Sequence, residues 1–220
     1  MKNERARKIV IAGVFSALEI VLGSTGLGFI PLPLGNATIM QVPAIIAGIL
    51  EGPLTGAFVG LIFGIFSVIQ AALIGASPVD LAFLRYPPIA LVPRLLIGPA
   101  AWLVYFLVSG GLSKKRRTPP AGEAAPGPSV IRETAGVILG AAAGSLTNTA
   151  LVLVALRMVV PEIITLPVLL TLISLNGTVE AAFSALISLG VVLPWKRIPR
   201  RGGGSRLNSR DFRREPPPPS

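Results

Sequence analysis

Residues 54–74 read LTGAFVGLIFGIFSVIQAALI, a run of apolar and small residues that contains no Asp, Glu, Lys or Arg. The uncharged stretch around it covers residues 52–79, which exceeds the ~20 apolar residues that a helix needs to cross a bilayer. Further uncharged stretches occupy residues 95–113, 134–156 and 181–195. The pattern predicts an all-α integral membrane protein.

The composition argues against several other classes of protein. Hydrophobic residues make up 52% of the chain and charged residues only 14%, a balance that is not typical of a soluble domain. The net charge of +10 is carried by basic residues at the chain ends and in one loop, where membrane topology accounts for them better than nucleic acid does. The chain has no His and no Cys, so it lacks the usual metal ligands and general base. We therefore expect no nucleic-acid partner, no metal and no cofactor.

The hydrophobic segments define a topology. We predict six transmembrane helices, at residues 9–27, 39–50, 54–74, 87–108, 131–158 and 167–193. Basic residues cluster before the first helix, between the fourth and the fifth, and after the sixth, and the positive-inside rule assigns these regions to the cytoplasm. Both termini are then cytoplasmic. The second helix is too short to span upright at ~1.5 Å per residue, so it either tilts or is only partly embedded.

The six-helix transmembrane domain is expected to occupy residues 1–195. Its cytoplasmic loop, residues 110–132, and the basic tail, residues 196–220, are rich in Pro, Gly and charge. Such segments cannot bury enough apolar area to fold. We predict a mobile loop and a disordered tail.

Five polar side chains from four helices are expected at a similar depth in the membrane: Glu19, Arg94, Asn148, Asn176 and Glu180. Charges at that depth normally face the bundle interior or a cavity and find partners. One hypothesis is a solute pocket, in which Arg94 binds an anionic group, Asn148 and Asn176 bind hydroxyl or amide groups, and Glu180 accepts a hydrogen bond or orients Arg94. In another, Arg94 pairs with Glu19 or Glu180 and only joins helices. A proton relay is the third.

The segment between the first two helices carries two prolines and ends in polar residues. A stiff loop of this kind suits a lid over a pocket, with Asn36 and Gln41 closing it. A plain connector explains the same residues nearly as well.

Small residues recur at four-residue spacing in the third helix, at Gly56, Gly60 and Gly64. The first helix has a comparable set, formed by Ala12, Gly13, Ser16 and Ala17. Flat faces of this kind let helices approach closely. They either pack within the bundle or dock onto a separate membrane subunit.

Sequence signatures of enzymes are missing. The chain contains no GxxxxGK[ST] phosphate loop, no HExxH motif and no GxSxG elbow. We therefore expect no catalytic residues and no ATP hydrolysis by this chain.

Four stretches resemble the substrate-binding S components of energy-coupling factor (ECF) vitamin transporters. They are GFIPLPLGNATIMQVPAIIAGILEGPLTGAFVGLIFGIFS, LVPRLLIGPAAWLVY, AAAGSLTNTALVL and NGTVEAAFSALI. The PR of the fourth helix, the SLTNT of the fifth and the NG followed by E in the sixth are most similar to members assigned to pantothenate. The AxxxA usual in the first helix of the family appears here only as GVFSA, with AGVFS beside it.

The resemblance implies a six-helix bundle in the plasma membrane with a vitamin pocket at its extracellular side. It also implies that the small-residue faces dock a transmembrane T component, which two cytoplasmic ATPase subunits drive. The predicted function is substrate capture for an ATP-driven importer of a water-soluble vitamin, with pantothenate as the first candidate. The alternative is a stand-alone proton-coupled secondary carrier of a small polar solute.

Overall fold

The structure, a computed structural model, describes residues 2–32, 35–74, 78–111, 130–162 and 164–197. Most of the loop and of the tail expected to be mobile, residues 112–129 and 198–220, lies outside the described residues. The elements in chain order are α1 (Lys2–Thr25), β1 (Phe29–Leu32), β2 (Gly35–Thr38), α2 (Val42–Glu51), α3 (Pro53–Ile74), α4 (Pro78–Arg85), α5 (Pro88–Val108), α6 (Val130–Val159) and α7 (Leu166–Arg197).

The helices form a bundle of the membrane type. Among the described residues, five helices are long and apolar enough to cross a bilayer, namely α1, α3, α5, α6 and α7. Helix α2 has only 10 residues. A count of six spans therefore depends on how α2 sits in the bilayer, and the count and the membrane orientation stay predictions.

Helix α2 is the central element of the bundle. All of its residues from Val42 to Ile49 are buried, and it contacts α1, α3, α5, α6 and α7. Its sequence between the ends has no polar side chain, so burial on every side leaves no unsatisfied side-chain group. Pro43 in the first turn suits a helix start, and Gly52 ends the helix with a φ of 98°, a conformation that glycine adopts without strain.

Helix α3 packs against α5 through backbone contacts. A Cβ atom added at Gly60 would lie 2.1 Å from the carbonyl oxygen of Arg94, and one at Gly56 would lie 2.7 Å from the Cα atoms of Gly48 and Gly98. A Cβ atom at Gly64 would lie 3.0 Å from the Cα atom of Leu91.

The face formed by Gly56, Gly60 and Gly64 is thus covered by helices of the same chain. Of the two alternatives that the sequence offers, the structure shows packing within the bundle for these glycines. It argues against docking of a partner subunit on this face, because a partner helix would have to displace α5.

Two elements differ from the expectation. The segment expected to be a stiff loop contains an antiparallel hairpin, in which Phe29 of β1 pairs with Thr38 of β2. Helix α4 was not predicted, because eight residues are too few to span a bilayer and its segment was assigned to a connection. It packs on α3, α5 and α6, with Ala82 and Phe83 buried.

Both described chain ends lie at the end of the bundle away from the hairpin. Arg7 near the start of α1 forms an ion pair with Glu51 at the end of α2. Lys196 in the last turn of α7 lies 3.5 Å from the Glu133 carboxylate in the first turn of α6. The described part of the chain thus begins and ends on one side of the bundle.

The α3–α5 contact predicts the effect of adding one methyl group. We expect Gly60→Ala to lower the free energy of unfolding by about 1–3 kcal/mol, since its Cβ atom must push the Arg94 carbonyl away. Gly13→Ala is the matched control, because nothing lies within 4 Å of a Cβ atom there. Thermal unfolding in detergent measures both. Equal melting temperatures for the two variants would contradict the contact.

Candidate functional site

A cavity of ≈170 Å³ opens between the hairpin and helices α5, α6 and α7. Helix α5 contributes Arg94, helix α6 contributes Asn148 and Thr149, and helix α7 contributes Asn176 and Glu180. The remaining lining residues are Thr38, Val152, Leu153 and Leu172. The structure therefore brings together four of the residues expected to bind substrate, namely Arg94, Asn148, Asn176 and Glu180.

Arg94 is buried and held by uncharged groups. Its guanidinium lies 5.5 Å from the ring centre of Phe63 on α3 and 4.9 Å from that of Phe83 on α4. Its Nη1 atom donates a hydrogen bond of 3.2 Å to the carbonyl oxygen of Ile89. The Nε atom is buried without a hydrogen-bond partner in the described part of the chain.

The ion pairs that the sequence offered to Arg94 do not form. Within the described residues, neither Glu19 nor Glu180 lies within ion-pair distance of its guanidinium, although the Glu180 charge is near enough to attract it. The hypothesis that Arg94 only joins helices through such a pair therefore loses its geometric basis.

Glu180 already accepts hydrogen bonds from the protein itself. The backbone N–H of Thr38 donates to its Oε1 atom at 2.9 Å, and the Thr149 hydroxyl donates to its Oε2 atom at 2.5 Å. The carboxylate thus connects the end of the hairpin to α6 and α7. Glu180 therefore lines the cavity and also binds the hairpin and α6 through hydrogen bonds within the protein.

The two asparagines present free acceptors. The Oδ1 atoms of Asn148 and Asn176 are buried and have no hydrogen-bond partner among the described residues. A buried acceptor without a donor costs ~1–3 kcal/mol. A ligand hydroxyl or amide N–H in the cavity would satisfy them.

The structure describes the two expected lid residues, Gln41 and Asn36, to different extents. Gln41 is fully buried at the start of α2, does not line the cavity, and donates from Nε2 to the Ser145 hydroxyl at 3.0 Å. It also lies beside Glu180, so the structure places it next to a lining residue, and its role in closing the pocket stays a prediction. Asn36 pairs with Pro31 in the hairpin, and its side chain lies outside the described part of the structure.

Comparison with known proteins decides the family. Residues 7–194 match the family described as "ECF transporter, substrate-specific component". The chain belongs to this family. It is also 27% identical over 169 residues to the "Pantothenic acid transporter PanT" of Lactococcus lactis subsp. cremoris (strain MG1363), and the match covers 70% of this chain and 74% of that protein.

The family membership confirms the resemblance noted in the sequence. This substrate-specific component is a multi-pass protein of the plasma membrane, and its family is one of transport subunits that bind substrate. The relative supports the similarity to the pantothenate branch.

Sequence reasoning missed several residues of the site in this substrate-specific component. Thr149 lies in the SLTNT stretch that carries the family resemblance, but its bond to Glu180 has no sequence signal of its own. Phe63 and Phe83 carried none, since aromatic residues are ordinary in apolar helices. Glu19 was expected at the same depth as the predicted pocket residues; it does not line the cavity and lies near the N–H of Ala44 at the start of α2.

The Glu180 contacts predict how the hairpin is held. We expect Glu180→Gln to speed hydrogen exchange of the Thr38 backbone amide by about tenfold or more. A hydrogen bond to a charged acceptor is worth ~1.5–3 kcal/mol. The glutamine side chain is uncharged and has one acceptor oxygen for the two donors, Thr38 and Thr149. Glu133→Gln, at the opposite end of the bundle, is the control. Exchange is measured by mass spectrometry on the protein in detergent. If the Thr38 amide exchanges at the same rate in both variants, Glu180 does not hold the hairpin.

Proposed function

We propose that this protein captures a small anionic, water-soluble vitamin in the cavity at Arg94, with pantothenate as the first candidate. The observation that carries the proposal is a buried guanidinium that lines the cavity and that forms an ion pair with neither Glu19 nor Glu180. The similarity to a pantothenic acid transporter adds support for the candidate.

The lining matches the groups of this ligand class. A carboxylate can meet the guanidinium through two parallel hydrogen bonds, and the free oxygens of Asn148 and Asn176 can accept from hydroxyl or amide groups. Pantothenate has one carboxylate, one amide and two hydroxyls. Val152, Leu153 and Leu172 would contact its carbon skeleton.

The topology belongs to the same proposal. With α2 counted as a sixth span and both termini in the cytoplasm, the cavity faces the outside and takes up the vitamin there. The basic residues at both chain ends and the location of those ends on one side of the bundle support this orientation.

Energy for import would come from partner subunits. We infer a transmembrane T component and two cytoplasmic ATPases, since this chain has no phosphate loop of its own. Of the small residues on α1, Gly13 and Ala17 are exposed, whereas Ala12 and Ser16 are buried in the bundle. Docking of the T component is therefore proposed on the side of α1 that carries Gly13 and Ala17.

The first test removes the guanidinium. We expect Arg94→Ala to raise the dissociation constant for pantothenate at least tenfold, because the loss of a desolvated charged pair costs ~2–5 kcal/mol. Arg94→Lys should weaken binding too, since the planar fork is lost. Calorimetry on the protein in detergent measures both, with Arg85→Ala, an exposed arginine on α4, as the control.

A change in the ligand tests the same contact from the other side. Pantothenol replaces the carboxylate by an alcohol, so wild type should reject it and Arg94→Ala should no longer discriminate. If Arg94→Ala folds, binds pantothenate as tightly as wild type and still rejects pantothenol, Arg94 is not the anion site.

The second test concerns the partner. We expect Gly13→Leu to abolish vitamin uptake in cells that co-express the T component and the ATPases, while binding by the isolated chain is retained, because the added bulk occupies a face meant for close helix approach. Gly190→Leu on α7 is the control, since a Cβ atom there also meets nothing within 4 Å. Uptake that survives Gly13→Leu and collapses with the proton gradient at constant ATP would favour a stand-alone carrier.

A further inference from the structure

Helix α5 has a proline directly before its buried arginine. In a regular α-helix the carbonyl of Ile89 would accept a hydrogen bond from the N–H of residue 93, four positions later. Residue 93 is Pro, which has no N–H, so the Ile89 carbonyl loses its helical donor. The Nη1 atom of Arg94 donates to this same carbonyl at 3.2 Å. Pro93 thus leaves a carbonyl oxygen free, and the guanidinium of the next residue, Arg94, donates to that oxygen.

Two aromatic rings lie against the same guanidinium. Phe63 and Phe83 come from different helices, α3 and α4, and both are buried. A ring within ~6 Å attracts a cation through its quadrupole without carrying a charge of its own. Both rings therefore hold Arg94 without adding a negative charge beside it.

We propose that Pro93, Phe63 and Phe83 are positioning residues that fix the Arg94 guanidinium toward the cavity before an anionic ligand arrives. A carboxylate in their place would hold the arginine equally well, but it would neutralise the charge that the ligand must meet. Ordering a long side chain in advance also removes a cost that binding would otherwise carry. The inference rests on the proposed function, because the anion is the ligand of that site.

The nearest carboxylate supports this assignment. Both oxygens of Glu180 accept hydrogen bonds from Thr38 and Thr149, so its acceptor sites are directed at the hairpin and at α6. The positions of Arg94 and Glu180 are therefore set by different groups. Helix α4, which supplies Phe83, gains a role in ligand selectivity although Phe83 is absent from the cavity lining.

The first experiment measures selectivity rather than affinity. We expect Pro93→Ala and Phe83→Leu each to reduce the ratio of pantothenol to pantothenate dissociation constants by about three- to tenfold. This is the size of a lost cation–π contact for Phe83→Leu and of a lost hydrogen bond to the Ile89 carbonyl for Pro93→Ala. General damage to the cavity would weaken both ligands and leave the ratio unchanged. Pro99→Ala, in the same helix, and Phe58→Leu, on an exposed position of α3, are the matched controls. A wild-type ratio in both test variants, with normal melting temperatures, would overturn the proposal.

The second experiment needs no ligand. In protein labelled with ¹⁵N-arginine, the Nε–H signal of Arg94 is identified by its loss in Arg94→Lys, and ring currents from Phe63 and Phe83 should displace it. Phe83→Leu and Pro93→Ala should shift this signal, whereas Phe58→Leu and Pro99→Ala should not. An unmoved signal in folded variants would refute the positioning role. If wild type binds neither ligand, the proposed function fails, and the spectrum still decides the positioning of Arg94.

Discussion

Backbone contacts on two sides fix helix α5 within the bundle. On one side the carbonyl of Arg94 faces Gly60 of α3, and on the other a Cβ atom at Gly140 of α6 would lie 2.7 Å from the carbonyl of Ala101. Contacts between backbones leave no flexible side chain to absorb a shift, because protein interiors are close-packed. These contacts fix the level of Arg94 on α5 relative to α3 and α6.

The charged groups of the site have separate tasks. Glu180 is bonded to the hairpin and to α6, and it makes the hairpin part of the cavity wall. Arg94 is held by rings and a carbonyl and keeps its charge available. An ion pair between the two would have satisfied both and left the cavity nothing with which to select an anion. The geometry therefore leaves Arg94 free of an ion pair with Glu180, as the proposed binding of an anion requires.

Much of this arrangement could be predicted from the sequence, and the rest fails for physical reasons. Apolar length identifies the long helices, and helical phase places Asn176 and Glu180 on one face. Depth along a helix does not give the direction in which a side chain points, so the similar depth of Glu19 did not show that it lies away from the cavity lining. A glycine face such as that of Gly60 shows that something approaches closely but not whether the neighbour belongs to the same chain. Helix α4 is too short for a hydropathy signal, and so the ring of Phe83 could not be foreseen.

The central burial of α2 has a consequence for how the chain is made. Helix α2 leaves the ribosome before α5, α6 and α7 exist, yet these three helices form much of its surroundings. With 10 residues, α2 is also too short to span the bilayer upright. Until those three helices are made, α1 and α3 are the neighbours of α2 that already exist to cover its apolar surface. The surroundings of α2 are therefore complete only when α7 has been added, so a chain that stopped before α7 would leave part of the α2 surface uncovered.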